Sequence, residues 1–217
     1  MKLAALARRG IDNLYSPADV SASKRGPIGS VLVACEFSGR VRDAFAARGW
    51  NAWSCDLIPT ESPGNHYLGD VLDILHLPWD LLIAHPPCTH LATSGARWFR
   101  DKLPEQKLAL EFALRLYHAP IKRICLENPV SILSSHIDKP PQVIQPWQFG
   151  HPEKKATCLW LKGLPHLAPT KIMRYKLSAV HQTGESSTRA RERSRTYTGI
   201  AAAMAEQYTN WHLAHPL

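Results

Sequence analysis

A doubly wound α/β fold with a mostly parallel sheet is predicted by three features of this sequence. Short apolar runs of strand length alternate with stretches of helical periodicity from Ser30 onward. The first run is rich in β-branched residues, as in a strand buried on both faces. Polar residues interrupt the pattern at the strand ends, where a sheet of this kind gathers its ligands.

Val31-Leu32-Val33-Ala34-Cys35 reads as the first buried strand. Val41 to Arg48 carries a helical pattern stopped by Gly49, and Ala52-Trp53-Ser54-Cys55 is a second strand ending at Asp56. A loop over Glu61 to Asn65, a short strand near Tyr67 and an acidic turn at Asp70 follow. Asp80 to Ala84 forms another strand, which Pro86-Pro87 ends abruptly. Pro104 sits well at a helix start, with Leu108, Phe112 and Leu116 on one face and Pro120 as the stop. Ile121 to Leu126 is the next strand, closed by Glu127-Asn128-Pro129. Residues 1–29 read as an N-terminal arm of low order with room for a short helix. Residues 30–217 read as one domain with a basic C-terminal segment.

At 217 residues the chain suits one well-buried domain rather than two full ones. A hydrophobic fraction of 45% excludes wholesale disorder. The net charge, 26 − 18 = +8, favours phosphate-rich partners through counterion release. Cys35, Cys55, Cys88, Cys125 and Cys158 lie far apart, with neither CxxC nor cysteine–histidine ligand spacing. Reduced thiols in a cytoplasm are therefore expected, with no disulfide framework and no metal. The opening MKLAALARRG has too short an apolar run for a secretory signal. No stretch approaches the roughly 18 apolar residues of a membrane span, so no membrane contact is expected.

After the first strand, Glu36-Phe37-Ser38-Gly39 is a tight turn into a helix, where a cofactor can meet backbone N–H groups at the positive helix end. Asp56 adds a carboxylate where nucleotide-binding βαβ units hold ribose hydroxyls, and Asp70 is placed to receive an adenine amino group. The plainer alternative is that Asp56 and Asp70 cap turns. Two prolines fix the backbone beyond the 80–84 strand, so Cys88 is held at its tip as a candidate nucleophile. The alternative, a small packing cysteine, is assigned to Cys35, Cys55, Cys125 and Cys158, which lie in or beside apolar strands. Glu127 ends the neighbouring strand, where a carboxylate can hold a ring nitrogen and exocyclic amine, or else serve as a cap.

Taken together these residues resemble the cytosine carbon-5 methyltransferases, and especially their compact phage-type relatives. The family's Pro-Pro-Cys motif stands as Pro86-Pro87-Cys88, continued by Thr93-Ser94-Gly95, and its Glu-Asn-Val motif as Glu127-Asn128-Pro129. The donor motif is shortened to Phe37-Ser38-Gly39. An aromatic-Gly-x-Pro-Gln-x-Arg-x-Arg segment is matched by Phe149 to Thr157, with Glu153 for glutamine, Lys155 for the first arginine and Thr157 for the second. The closing glycine turn is similar to Thr198-Gly199-Ile200-Ala201. The matches run in the family's order from about Ser30 to Gln207.

The resemblance implies a Rossmann-like class I methyltransferase fold with S-adenosylmethionine as cofactor. It implies attack by Cys88 on carbon 6 of cytosine in DNA, methyl transfer to carbon 5, and a flipped target base where the substrate is duplex. The expected catalytic set is Cys88, Glu127, Pro87, Asn128 and Lys155. The expected donor set is Glu36, Phe37, Ser38, Gly39, Asp56, Leu57, Asp70, Val71 and His85. Only Gly163 to Thr188 lies where family members carry a large target-recognition region, so a protein partner that presents the DNA is one expectation. Arg189, Arg191, Arg193 and Arg195, with Lys171, Arg174 and Lys176, form a candidate phosphate track or a solvated loop. Three alternatives stay open: the same chemistry on RNA or a free nucleotide, a non-catalytic nucleic-acid-binding homologue, and an exocyclic-amino methyltransferase. His85 and Cys88 fit the last poorly, since such enzymes carry Asp, Asn or Ser before Pro-Pro and an aromatic after it.

Overall fold

The computed structural model describes residues 15–94, 102–138, 141–174, 192 and 194–216. Strands β1 (Ser30–Ala34), β2 (Asn51–Asp56), β3 (His66–Leu68), β4 (Leu81–Ala84), β5 (Ile124–Pro129), β6 (Gln142–Ile144) and β7 (Thr157–Lys162) form a seven-stranded sheet. Its order is β3-β2-β1-β4-β5-β7-β6. Neighbours from β3 to β5 run parallel, whereas β7 is antiparallel to both β5 and β6. The mostly parallel sheet predicted from the alternation is present, in the Rossmann-like form that the resemblance implies. Chain order reverses between β1 and β4, the switch point at which such sheets open a crevice.

The helices are α1 (Pro17–Ala22), α2 (Arg40–Ala46), α3 (Leu103–Tyr117) and α4 (Thr198–Ala214). Val41 and Phe45 of α2 pack with Ile200, Met204 and Tyr208 of α4 over Val31, Val33, Leu81 and Ile83 on one sheet face. Ala113, Leu116 and Tyr117 of α3 cover Leu82, Ala84, Ile124 and Leu126 on the other, with Trp53 and Trp160 fully enclosed. Alternate residues of each central strand thus feed opposite cores, the reason these runs are apolar throughout. The expected α3 stripe is only partly used: Leu116 is buried, but Leu108 is 67% exposed.

Within the expected N-terminal arm, residues 1–14 lie outside the described residues, and 15–29 carry the short helix for which the sequence left room. Ser16 and Asp19 form a reciprocal capping box on α1, with Pro17 in its first turn. Val20 is buried, and Tyr15 meets Trp53 edge-on at 4.8 Å between ring centroids. Arg25 Nε and Nη2 both donate to the Asp80 carboxylate, which also accepts from Ser30 N at 2.8 Å. The contacts to Trp53 and Asp80 require the folded sheet, so a reading of local sequence misses them.

Arg42, 1% exposed, is the internal pin of the β2–β3 connection. Its guanidinium donates to Asp43, to the hydroxyls of Ser54 and Thr60, and to the carbonyls of Ser62 and Pro63. His66 lies beside it, its Nδ1 2.9 Å from Ser54 Oγ and its Nε2 3.2 Å from Ile58 O. Burial, with the Arg42 charge adding to it and the Ile58 carbonyl opposing, pushes the imidazole down to about 4. The unfolded chain takes up this proton near its ordinary value of about 6.5, the folded chain only near 4, so stability must fall as pH drops between them. Allowing for solvent screening, a loss of about 2 kcal/mol is expected between pH 7 and 4.5. Urea unfolding at both pH values, with His66→Gln as control, checks it; an equal pH dependence in both proteins would dismiss His66 as the cause.

Candidate active site

A cavity of about 830 Å³ opens beyond the carboxyl ends of the parallel strands. Phe37, Asp56, Leu57, Asp70, Val71, His85, Pro87, Cys88, Glu127, Asn128 and Lys155 from the expected sets all line it. Glu36, Ser38 and Gly39 do not. The Glu36 carboxylate accepts from Val41 N at 2.7 Å, Arg42 N at 3.1 Å and Ser38 Oγ at 3.1 Å, which makes it the cap of α2. Gly39 occupies the N-cap with φ +73 and has no side chain to offer, so Glu36 supplies the missing acceptor.

On the side expected to take a donor, Asp56 ends β2 and accepts from Ile58 N at 3.2 Å. Burial raises its carboxyl above the ordinary value, with the Ile58 and Leu57 N–H groups opposing that shift. Beside it Leu57 and Ile58 are 76% and 41% exposed, an apolar ledge on the cavity wall. Asp70 caps the 3-10 turn Val71–Asp73 through Leu72 N at 2.9 Å. The plainer role of each aspartate is therefore present as well, and both residues also line the cavity.

Opposite, β4 and β5 bring their tips together. Their register pairs Ala84 with Leu126, which sets His85 beside Glu127. His85 Nδ1 lies 3.1 Å from Glu127 Oε2, and Asn128 Nδ2 donates to Pro86 O at 2.9 Å. Leu91 N and Ala92 N donate to Cys88 O at 3.0 and 2.9 Å, fixing the backbone at the cysteine. Of the five cysteines Cys88 alone is exposed. Burial pushes the thiols of Cys35 and Cys125 up to about 12 and raises those of Cys55 and Cys158. Those four are disfavoured as thiolates at neutral pH.

Cys35 and Cys55, packing residues by sequence, also line the cavity floor. Cys35 has φ +58, the one described non-glycine residue with a positive value. The turn after a first strand normally asks for glycine there, and a cysteine at that place was the available signal. Phe112, Ile58, Gly69, Thr89 and Ser194 add lining that the sequence did not single out as site residues.

Arg189, Arg191 and Arg193 lie outside the described residues. Arg195 is engaged in a two-pronged pair with Glu61, both N–O distances 2.8 Å. Glu61 N in turn donates to Phe37 O at 2.8 Å, and Arg40 Nη1 donates to Thr196 O at 2.9 Å. The segment carrying Ser194 and Arg195 is thus anchored to Glu61 and to the turn after β1. Lys155 Nζ stands 5.7 Å from the Tyr197 ring centroid, and Thr157, at the expected second arginine, donates to Lys155 O at 3.1 Å. Among the described residues no helix is long and apolar enough to cross a membrane, and no group of three or more His, Cys, Asp or Glu is placed to hold a metal.

No protein-family model and no curated protein matches the chain. Among solved structures it aligns with one described as a candidate DNA modification methyltransferase encoded within an E. coli prophage. The identity is 14% and the TM-score 0.44, over 66% of this chain and 51% of that one.

Proposed function

We propose that this protein transfers a methyl group from S-adenosylmethionine to carbon 5 of cytosine in DNA. The observation that carries the reading is a shared cavity: Cys88 and Glu127 line the same space as Asp56, Leu57 and Asp70. The donor-side residues fit a nucleoside. The exposed Leu57–Ile58 ledge suits the face of a base, Asp56 suits ribose hydroxyls, and Asp70 with Val71 suits the adenine edge. When bound, S-adenosylmethionine supplies an electrophilic methyl group.

The protein's own part is to make cytosine carbon 5 nucleophilic. The Cys88 thiolate adds to carbon 6, forming a sulfur–carbon bond and moving the ring's electron pair toward carbon 5. Glu127 accepts from the exocyclic amine and holds that edge of the pyrimidine through the charge shift. Loss of the carbon 5 proton after methylation restores the ring and expels the Cys88 sulfur. Arg189, Arg191 and Arg193 stay assigned to phosphate contact, while Arg195 is assigned to holding the cavity mouth through Glu61. With little chain available for reading bases, target choice falls to short sequence context or to a partner.

Donor binding tests the first half. S-adenosylmethionine or its demethylated product should raise the melting temperature, and Asp56→Ala should weaken its affinity at least about tenfold by isothermal titration. Unchanged affinity in the variant would remove Asp56 from the donor site. Labelled donor offered with duplex DNA, single-stranded DNA, RNA and dCMP tests the second half. Label incorporated only into RNA or dCMP would displace DNA as the substrate.

A further inference from the structure

His85 was expected on the donor side, but its contacts lie with the carboxylate. Its side chain is 8% exposed and that of Glu127 21%. The pair is 42 residues apart in sequence and adjacent only through the β4–β5 register. His85 N also donates to Ala34 O at 3.0 Å, so β1 and β4 fix the backbone that carries the ring. Pro86 and Pro87 stiffen the following residues, and Asn128 ties Pro86 O to β5. The backbone that carries the imidazole is thus held on both sides of His85, and the ring is engaged at Nδ1.

The ring's second nitrogen, Nε2, is buried and has no hydrogen-bond partner among the described residues. A ring proton on Nε2 would leave a buried donor unmet and turn the Nδ1 lone pair toward the carboxylate. A ring proton on Nδ1 leaves only a lone pair unmet and donates directly to Glu127 Oε2. The hydrogen-bond network therefore selects the Nδ1–H form. Glu127 Oε2 is then occupied, and Oε1 is the oxygen left for a ligand.

Building on the methylation reading above, we propose that His85 is a positioning residue: its Nδ1–H holds Glu127 Oε2 so that Oε1 meets the exocyclic amine of the target cytosine. A carboxylate without this tether would rotate about its last side-chain bond and present either oxygen. Ordering it before the base arrives removes that cost from the reaction.

Two measurements decide the matter. Nitrogen-15 NMR of the wild-type side chain should show the proton on Nδ1 and a bare Nε2, with both signals moving in Glu127→Gln. A proton on Nε2 would overturn the proposal whatever the activity. The second measurement is the rate at which protein forms a covalent adduct with 5-fluorocytosine DNA at saturating DNA. His85→Leu keeps apolar volume but loses the donor, and should slow the adduct at least about 100-fold with little change in DNA affinity. His85→Asn places an amide N–H near the Nδ1 position and should recover to within about tenfold of wild type. Leucine at the wild-type rate, or asparagine as slow as leucine, would reduce His85 to packing. A wild type that forms no adduct would overturn the cytosine reaction, and the role with it.

Discussion

Cys88→Ser should abolish methyl transfer while the protein remains folded and still binds the donor. The exchange is nearly isosteric and falls on an exposed side chain, so no core contact changes. The backbone at this residue is held by Leu91 N and Ala92 N, which the substitution does not touch. A serine hydroxyl ionises far above neutral pH and nothing at this tip replaces the thiolate, so a fall of at least about 10³-fold is expected. A 5-fluorocytosine substrate carries no removable proton at carbon 5. The wild type should therefore stall as a denaturation-resistant adduct, and Cys88→Ser should not. Methyl transfer persisting in the serine variant would end the covalent mechanism and return the exocyclic amine as the acceptor.

The largest expected loss of stability comes from Gly199→Ala. A Cβ at Gly199 would stand 1.8 Å from Phe149 O and 3.0 Å from Phe149 C. The obstructing atoms are backbone, so no rotamer change relieves them, and α4 or the chain at 149–151 must shift. Such a shift also breaks the hydrogen bond that Gly199 N donates to His151 Nε2 at 3.0 Å. A cost of about 3 kcal/mol is expected, near the upper end for overpacking. In a chain of this size that lowers the melting temperature by about 6–12 °C, measurable by calorimetry. A melting temperature within about 2 °C of wild type would show that the first turn of α4 yields without cost.

The elements legible in the sequence are those whose burial is complete. Val31–Ala34 and Leu81–Ala84 feed apolar cores on both sides, and unbroken apolar runs announce them. The place of Cys88 and Glu127 on the cavity wall is legible for a related reason, since polar groups at the ends of such strands stand out. β6 was not: three residues with Ile144 alone buried leave no periodic signal. The antiparallel course of β7 was equally hidden, because strand direction depends on the path of the connecting chain. Glu36, expected among the donor residues, caps α2 and is not part of the cavity lining, a distinction that local composition does not make. The His85–Glu127 pair required the register of two strands, which no residue pattern within either strand encodes.

The enclosed guanidinium of Arg42 bears on the thermodynamics of occupancy. Because it already binds the Ser62 and Pro63 carbonyls and the Thr60 hydroxyl, the chain following the Leu57–Ile58 ledge is ordered before any nucleoside arrives. On the donor-binding reading proposed above, uptake then needs little fresh ordering of backbone in this connection. Its calorimetric signature should be that of a ligand entering a preformed crevice, with a heat-capacity change set by the apolar area the ligand covers rather than by a coupled folding step.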